Sequence, residues 1–176
     1  MKGSNMRRKD RELGEQDALK IIDDSQYATL SCIDEDGEIF SIPISIARVE
    51  NSIFIHGAKV GSKARLYQNG KSVTLVAVSK NEVPAPSYEF CQSIKDNARE
   101  LGSSVFTTEY LSAVAKTRAY EVTDEAQKIN ALRLLCEKYT PEYMEYFSVA
   151  ATGSLQRTSI YELKIESLTA KAKIIK

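Results

Sequence analysis

The stretch IFIHGAKVGSKARLYQNG, residues 53–70, gathers the side chains of this sequence best suited to hold a ligand. A β-forming apolar run ends at His56. A loop containing Gly57, Ala58, Lys59 and Gly61 follows, and Ser62 is placed to cap a helix that begins near Lys63 and stops at Asn69-Gly70. Amide N–H groups at a helix start attract anions. Gly57 and Gly61 let a ligand approach the backbone, and Lys59, Ser62 and Lys63 add two charges and a hydroxyl. Together these make a phosphate cradle at a strand-to-helix corner. Spacing alone fits an ordinary helix start with solvated lysines rather better, because short motifs recur by chance. His56 alone fits a strand-end histidine bonded to a backbone carbonyl.

Much other chemistry is excluded. His56 is the single histidine, so no two-His metal site can form within one chain, and no metal site is expected. A Ser-His-Asp triad would have to use His56, and no GxSxG elbow is present. Neither a GxxxxGK[ST] loop nor a GxGxxG turn occurs. Lys+Arg and Asp+Glu both number 24, a balance that argues against a nucleic-acid partner, which needs surplus cations to displace counterions. Cys32, Cys91 and Cys136 are odd in number and lack a CxxC spacing, as expected of reduced thiols in a cytoplasmic protein. No run approaches the ~18 apolar residues of a membrane span, and the charged opening MKGSNMRRKDREL has no apolar h-region after it. Met6 is an alternative start.

The elements that must position this stretch are mostly strands. EQDALKIIDD (15–24) reads as a short helix. YATLSCID (27–34), EIFSIPISIARV (38–49), IFIHGA (53–58) and SVTLVAVS (72–79) read as strands separated by the turns DEDG and VENS. Connections this tight leave no room for crossover helices, so the pairing must be antiparallel. Pro43 cannot donate to a ladder and marks an edge, a bulge or a ligand-facing position. NEVPAPS (81–87) is a loop, 88–104 a helix ending at Gly102, and VFTTEYLSAVAKTRAYEV (105–122) a long strand. TDEAQKINALRLLCEKYTPE (123–142) is the clearest helix, with a core stripe at Ile129, Leu132 and Leu135 and Pro141 as its stop. SIYELKIESLTAKAKI (159–174) is a last strand. Cys32 and Cys136 lie in apolar runs and read as buried thiols. The whole, residues 1–176, reads as one α+β domain, an antiparallel β-barrel with a few packed helices.

The order of these parts resembles the FMN-binding split barrels of the pyridoxamine 5'-phosphate oxidase-like family, and in particular their nitroimidazole-resistance (Nim-type) branch. The resemblance rests on MRRKDREL (6–13), YATLSCIDEDGEIFSIPISIA (27–47), IFIHGAKVGSK (53–63), YLSAVAKTRAYEV (110–122) and DEAQKINALRLLCEKYTPE (124–142), in that order. It implies a six-stranded split barrel and a flavin, FMN or alternatively FAD. By position in the pattern, Lys63, Ser62 and Lys59 would meet the flavin phosphate. His56, Gly57 and Ala58 would border the ribityl chain and ring, and Ser41, Ile42, Pro43, Ile44 and Ser45 would run along the isoalloxazine. Ser112 would reach the flavin from a second subunit, so the resemblance implies a homodimer. The implied activity is electron transfer through the flavin to a small-molecule acceptor, a nitroaromatic in the Nim-type picture. His56 is the one obvious candidate for a catalytic proton donor. A flavin or haem carrier or sensor, and a pyridoxamine-phosphate oxidase proper, are the alternatives. Leu111 stands where the branch has arginine, which implies a preference for neutral acceptors and a shift in that preference on Leu111→Arg.

Overall fold

The computed structural model describes residues 6–175; Met1–Asn5, part of the charged opening segment, and Lys176 lie outside it. Eight strands form one antiparallel sheet: β1 (Glu12–Leu13), β2 (Ala28–Ile33), β3 (Ile39–Ile44), β4 (Ala47–Val49), β5 (Ser52–Ala58), β6 (Lys71–Glu82), β7 (Glu109–Val122) and β8 (Thr158–Lys173). Their order is β3-β2-β6-β7-β8-β5-β4, with β1 paired to β8. The expected six strands thus become eight, because β1 and β4, two and three residues long, add to six longer ones.

Strand alternation explains how the sheet closes. In β6, Val73, Leu75 and Ala77 point inward between outward Ser72, Thr74, Val76 and Val78; in β7, Ala113, Ala115, Thr117 and Ala119 point inward. Leu30 of β2 and Ile53 and Ile55 of β5 belong to one continuous core, although three strands separate β2 from β5 in the sheet. The sheet must therefore curl on itself. Helix α1 (Glu15–Asp24) buries Ala18, Ile21 and Ile22 in that core and packs on β6, β7 and β8. The alanines of β7 leave room for it. Asp34 Oδ1 holds the β2–β3 turn by accepting from the N–H groups of Asp36 and Glu38, at 3.0 and 2.9 Å, and Gly37 takes a φ of +85° there.

Two expected elements are broken. The run 38–49 divides into β3 and β4 because the N–H of Ile46 donates to Tyr139 Oη at 2.9 Å and its carbonyl accepts from the same hydroxyl at 3.1 Å. One side chain thus replaces two ladder bonds at a fully buried residue. The stretch 88–104 is not one helix. Ser87 caps α3 (Tyr88–Ser93), Asn97 caps a second short turn, α4 (Ala98–Glu100), and a π-turn follows over Leu101–Val105. Pro43 lies on β3, the edge strand, where its missing donor costs nothing. Between the cradle and β6 lies α2 (Ser62–Leu66).

Helix α5 (Glu125–Tyr139) starts at Asp124, whose carboxylate accepts from the Gln127 N–H at 2.8 Å. It buries Ala131 and Leu135, with Leu132 packed beside Val122 and Ile160. Ile129 is half-buried, and so is Cys136, which is less enclosed than its apolar run implied; Cys32 is buried, and all three thiols are free. Past Pro141, α6 (Phe147–Ser154) leads into β8. Tyr139→Phe removes both partners of the Ile46 peptide and should lower unfolding free energy by roughly 1–3 kcal/mol, read as a reduced urea midpoint at unchanged m-value.

Candidate functional site

The cradle is assembled as a physical unit. His56, Gly57 and Ala58 form the end of β5, where they pair with Ile160, Ser159 and Thr158 of β8. On the other edge, β4 pairs with β5 only as far as Phe54, so β5 has no strand partner there beyond that residue. The Lys63 side chain lies over the bare backbone of Gly57: a Cβ at Gly57 would meet Lys63 Cε at 2.7 Å and Nζ at 3.2 Å. Glycine here is the condition for that approach. Gly61, with φ +100°, turns the chain into α2 and puts Ser62 and Lys63 at its first two positions. Neither Lys59 nor Lys63 forms an ion pair among the described residues. The His56 side chain is exposed at its edge, yet burial of the ring lowers its pKa, and the Lys63 charge lowers it further. The imidazole is therefore neutral at pH 7.

Ser41–Ile44 lie along β3, with Ser41 and Pro43 exposed and Ile42 and Ile44 packed against the core. Ser41 Oγ bonds Ser31 Oγ at 2.9 Å. Ser45 follows in the break before β4. Ala47 faces Phe54 in the β4–β5 register, and two residues beyond that pair on each chain stand Ser45 and His56. The break held by Tyr139 thus turns the end of β3 toward the cradle.

Ser112 is elsewhere. It faces Lys171 of β8 and Val78 of β6, and it lines a cavity of about 580 Å³ with Tyr27, Ser79, Tyr110 and Lys171. Along β8, Ile160 beside His56 and Lys171 beside Ser112 are about eleven residues apart, a path of roughly 36 Å at ~3.3 Å per residue. One chain therefore does not bring Ser112 to its own cradle. Leu111 alternates with Ser112 and packs against the core, so an arginine there would be driven into the core instead of the cavity. Leu111→Arg would destabilise the barrel rather than tune an acceptor. Sequence reading missed Tyr27, Ser79, Tyr110 and Lys171; only strand register unites them.

The family model for pyridoxamine 5'-phosphate oxidase matches residues 14–172. The chain belongs to this family. Flavin binding is typical of pyridoxamine 5'-phosphate oxidase-like proteins. No curated protein matches the sequence. Among solved structures, the flavocytochrome Anf3 from Azotobacter vinelandii is similar at 18% identity, with TM-score 0.74 over 96% of this chain and 72% of that one. The FAD and haem binding protein from Mycobacterium smegmatis gives 18% identity and TM-score 0.72 over 93% and 73%. A candidate 5-nitroimidazole antibiotic resistance protein from Bacteroides thetaiotaomicron gives 15% and 0.68 over 92% and 86%. At these identities the likeness is one of fold. Among the described residues, no helix is long and apolar enough to cross a membrane.

The residues present fit a flavin phosphate as pyridoxamine 5'-phosphate oxidase-like proteins would hold one. Lys63 lies over the bare backbone of Gly57, Ser62 precedes it at the start of α2, and neither Lys63 nor Lys59 has a carboxylate partner among the described residues. A single histidine makes the electrostatics directly readable. The His56 imidazole should titrate below its ordinary value of 6.5, and Lys63→Met should raise it partway, leaving the larger desolvation effect in place. Proton NMR of the one imidazole checks both. Because unfolding frees His56 to bind a proton, stability should fall as pH drops below about 6.5, down to the folded-state pKa.

Proposed function

We propose that this protein is a flavin-dependent oxidoreductase of the nitroimidazole-resistance type, binding FMN between two copies of the chain. The observation that carries the reading is the Lys63 side chain lying over Gly57 beside His56. Lys63 and Lys59 hold the phosphate, with Ser62 donating its hydroxyl. The backbone of Gly57 and Ala58, unpaired on one edge, borders the ribityl chain. Ser41–Ser45 run along the ring. FAD is the alternative with the same phosphate contacts.

The along-strand separation supports the two-copy arrangement. Ser112 reaches a flavin held by the cradle only if it comes from the other copy. Once bound, the cofactor would supply the redox chemistry, taking electrons from a reduced donor and passing them to an acceptor above its ring. The chain's own residues bind and orient it and exclude water. His56, uncharged at pH 7, offers one N–H donor and one acceptor nitrogen at the site's edge. The balanced charge and the three free cysteines support a cytoplasmic setting for this activity. A haem carrier or sensor is the second reading, favoured by an exposed, uncharged His56 able to ligate iron.

A visible spectrum of the purified protein separates the two readings, since a Soret band would move His56 into the ligand role. A charge-assisted bond to phosphate contributes about 1.5–3 kcal/mol, so Lys63→Ala should weaken FMN binding roughly ten- to a hundredfold, and Ser62→Ala by less. Unchanged affinity in a fluorescence titration of the Lys63 variant would remove the assignment. Gly57→Ala should also weaken FMN binding, because only the flexible end of Lys63 need move to admit the methyl group. Its urea midpoint should stay near that of the parent protein. Sedimentation should give a dimer whose flavin affinity falls on dilution. Under anaerobic conditions, reduced protein should be reoxidised by a nitroimidazole faster than free reduced flavin is.

A further inference from the structure

The cavity around Ser112 has a chemical character of its own. Its volume, about 580 Å³, falls within the ~300–1,000 Å³ of small-molecule sites. Ser79 is the extra residue of a β-bulge: Val78 faces Ser112, Lys80 faces Leu111, and Ser79 has no partner in the ladder. Bulges re-aim side chains beside functional sites. The Ser79 hydroxyl is buried and unpartnered, a costly state for a polar atom unless something in the cavity meets it.

Aromatic rings and cations line the same cavity. Tyr27 is 60% exposed, and Tyr110 carries cations on its face and its hydroxyl. The Lys171 ammonium stands 5.6 Å from the Tyr110 centroid, and Arg11 Nη1 donates to Tyr110 Oη at 3.3 Å. Among the described residues neither cation is in an ion pair, although Glu12 is the register partner of Lys171 on β1. Lys80 differs, because Glu109 takes it up at 2.9 Å. The lining therefore keeps one uncompensated positive charge, Lys171, beside two aromatic rings, with Arg11 bonded to the hydroxyl of one of them.

We propose that this cavity binds a single-ring aromatic anion. The ring lies against Tyr27 and Tyr110, the charge is met by Lys171, and the hydroxyls of Ser79 and Ser112 complete the contacts. The part this ligand plays as electron acceptor rests on the two-copy flavin reading above; its binding does not. Leu111 implied a site for neutral acceptors, but Lys171 of β8 supplies an unpaired cation there.

The test is calorimetric titration of the full-length protein with 4-nitrobenzoate, phenyl phosphate and the neutral 4-nitrobenzamide. At least one anion should bind about tenfold or more tighter than the amide, as a charge-assisted contact predicts, and the better of the two identifies the anionic group. Lys171→Met keeps the stem, removes the charge, and should cut that preference to about threefold or less; Lys171→Arg should retain it. Ser79→Ala should weaken the anion about threefold or more through the lost hydroxyl. Equal affinities for anion and amide, no binding of either, or a preference untouched by Lys171→Met would overturn the proposal. Protein without flavin that still discriminates anion from amide keeps this inference and removes the proposed function. Protein that binds flavin without discriminating does the reverse.

Discussion

Strand β8 is the constraint on which the rest of the molecule depends. Its sixteen residues pair with β5 near one end, with β1 near the other, and with β7 along most of their length. Tyr161, Leu163 and Ala170 belong to the core that α1 shares, Ile160 packs with Val122 and Ala131, and the strand's register positions fix neighbours on both sides except at the bulge that leaves Glu166 unpaired. Tyr161, Leu163 and Ala170 are buried, so a one-residue slip would turn these side chains to solvent and bring charged neighbours inside. That penalty locks His56 beside Ile160 and Ser112 beside Lys171. The separation of the cradle from the Ser112 cavity is thus a consequence of core packing, not of any interaction within either site.

The second constraint is the break at Ile46. A continuous strand over 38–49 would carry β3 past β5 instead of turning it into β4. Tyr139 prevents this by satisfying both polar groups of a buried peptide, which would otherwise need ladder partners. The ion pair of Arg48 with Asp23 on α1 ties the same corner to the helix in the core. Helix α5 therefore contributes more than a packing stripe, since its last residue sets the path of the strand proposed to border the flavin ring.

Much of this was legible in the sequence, and the reason is periodicity. β2, β6, α1 and α5 announce themselves because alternation or helical spacing repeats over several residues, and Asp34-Gly37 marks its hairpin by local bonds alone. The cradle was legible for a similar reason, its residues being neighbours in the chain. The break at Ile46 was not, because its cause lies 93 residues away. Nor was the broken helix over 88–104, where Asn97 restarts the backbone and Ile94 is the one buried apolar side chain. The orientation of Leu111 escaped too, since family position says which residue stands there but only register says which face it takes.

Charge shows why composition hides function in such a chain. Equal numbers of acids and bases suggest a bland surface, yet the acids are spent unevenly. Asp23 binds Arg48, Glu109 binds Lys80 and Glu166 binds Arg118, all away from the cradle. Among the described residues, Lys59 and Lys63 at one end, and Arg11 and Lys171 at the other, form no ion pair. Bringing the Ser112 end of one copy against the cradle of a second would set like charges facing each other, which disfavours contact in a low-dielectric interface. The proposed flavin phosphate at one end and aromatic anion at the other would reverse that sign. In the proposed two-copy arrangement, ligand binding and assembly would be one linked equilibrium, with anions serving as the countercharge that lets two cationic surfaces close.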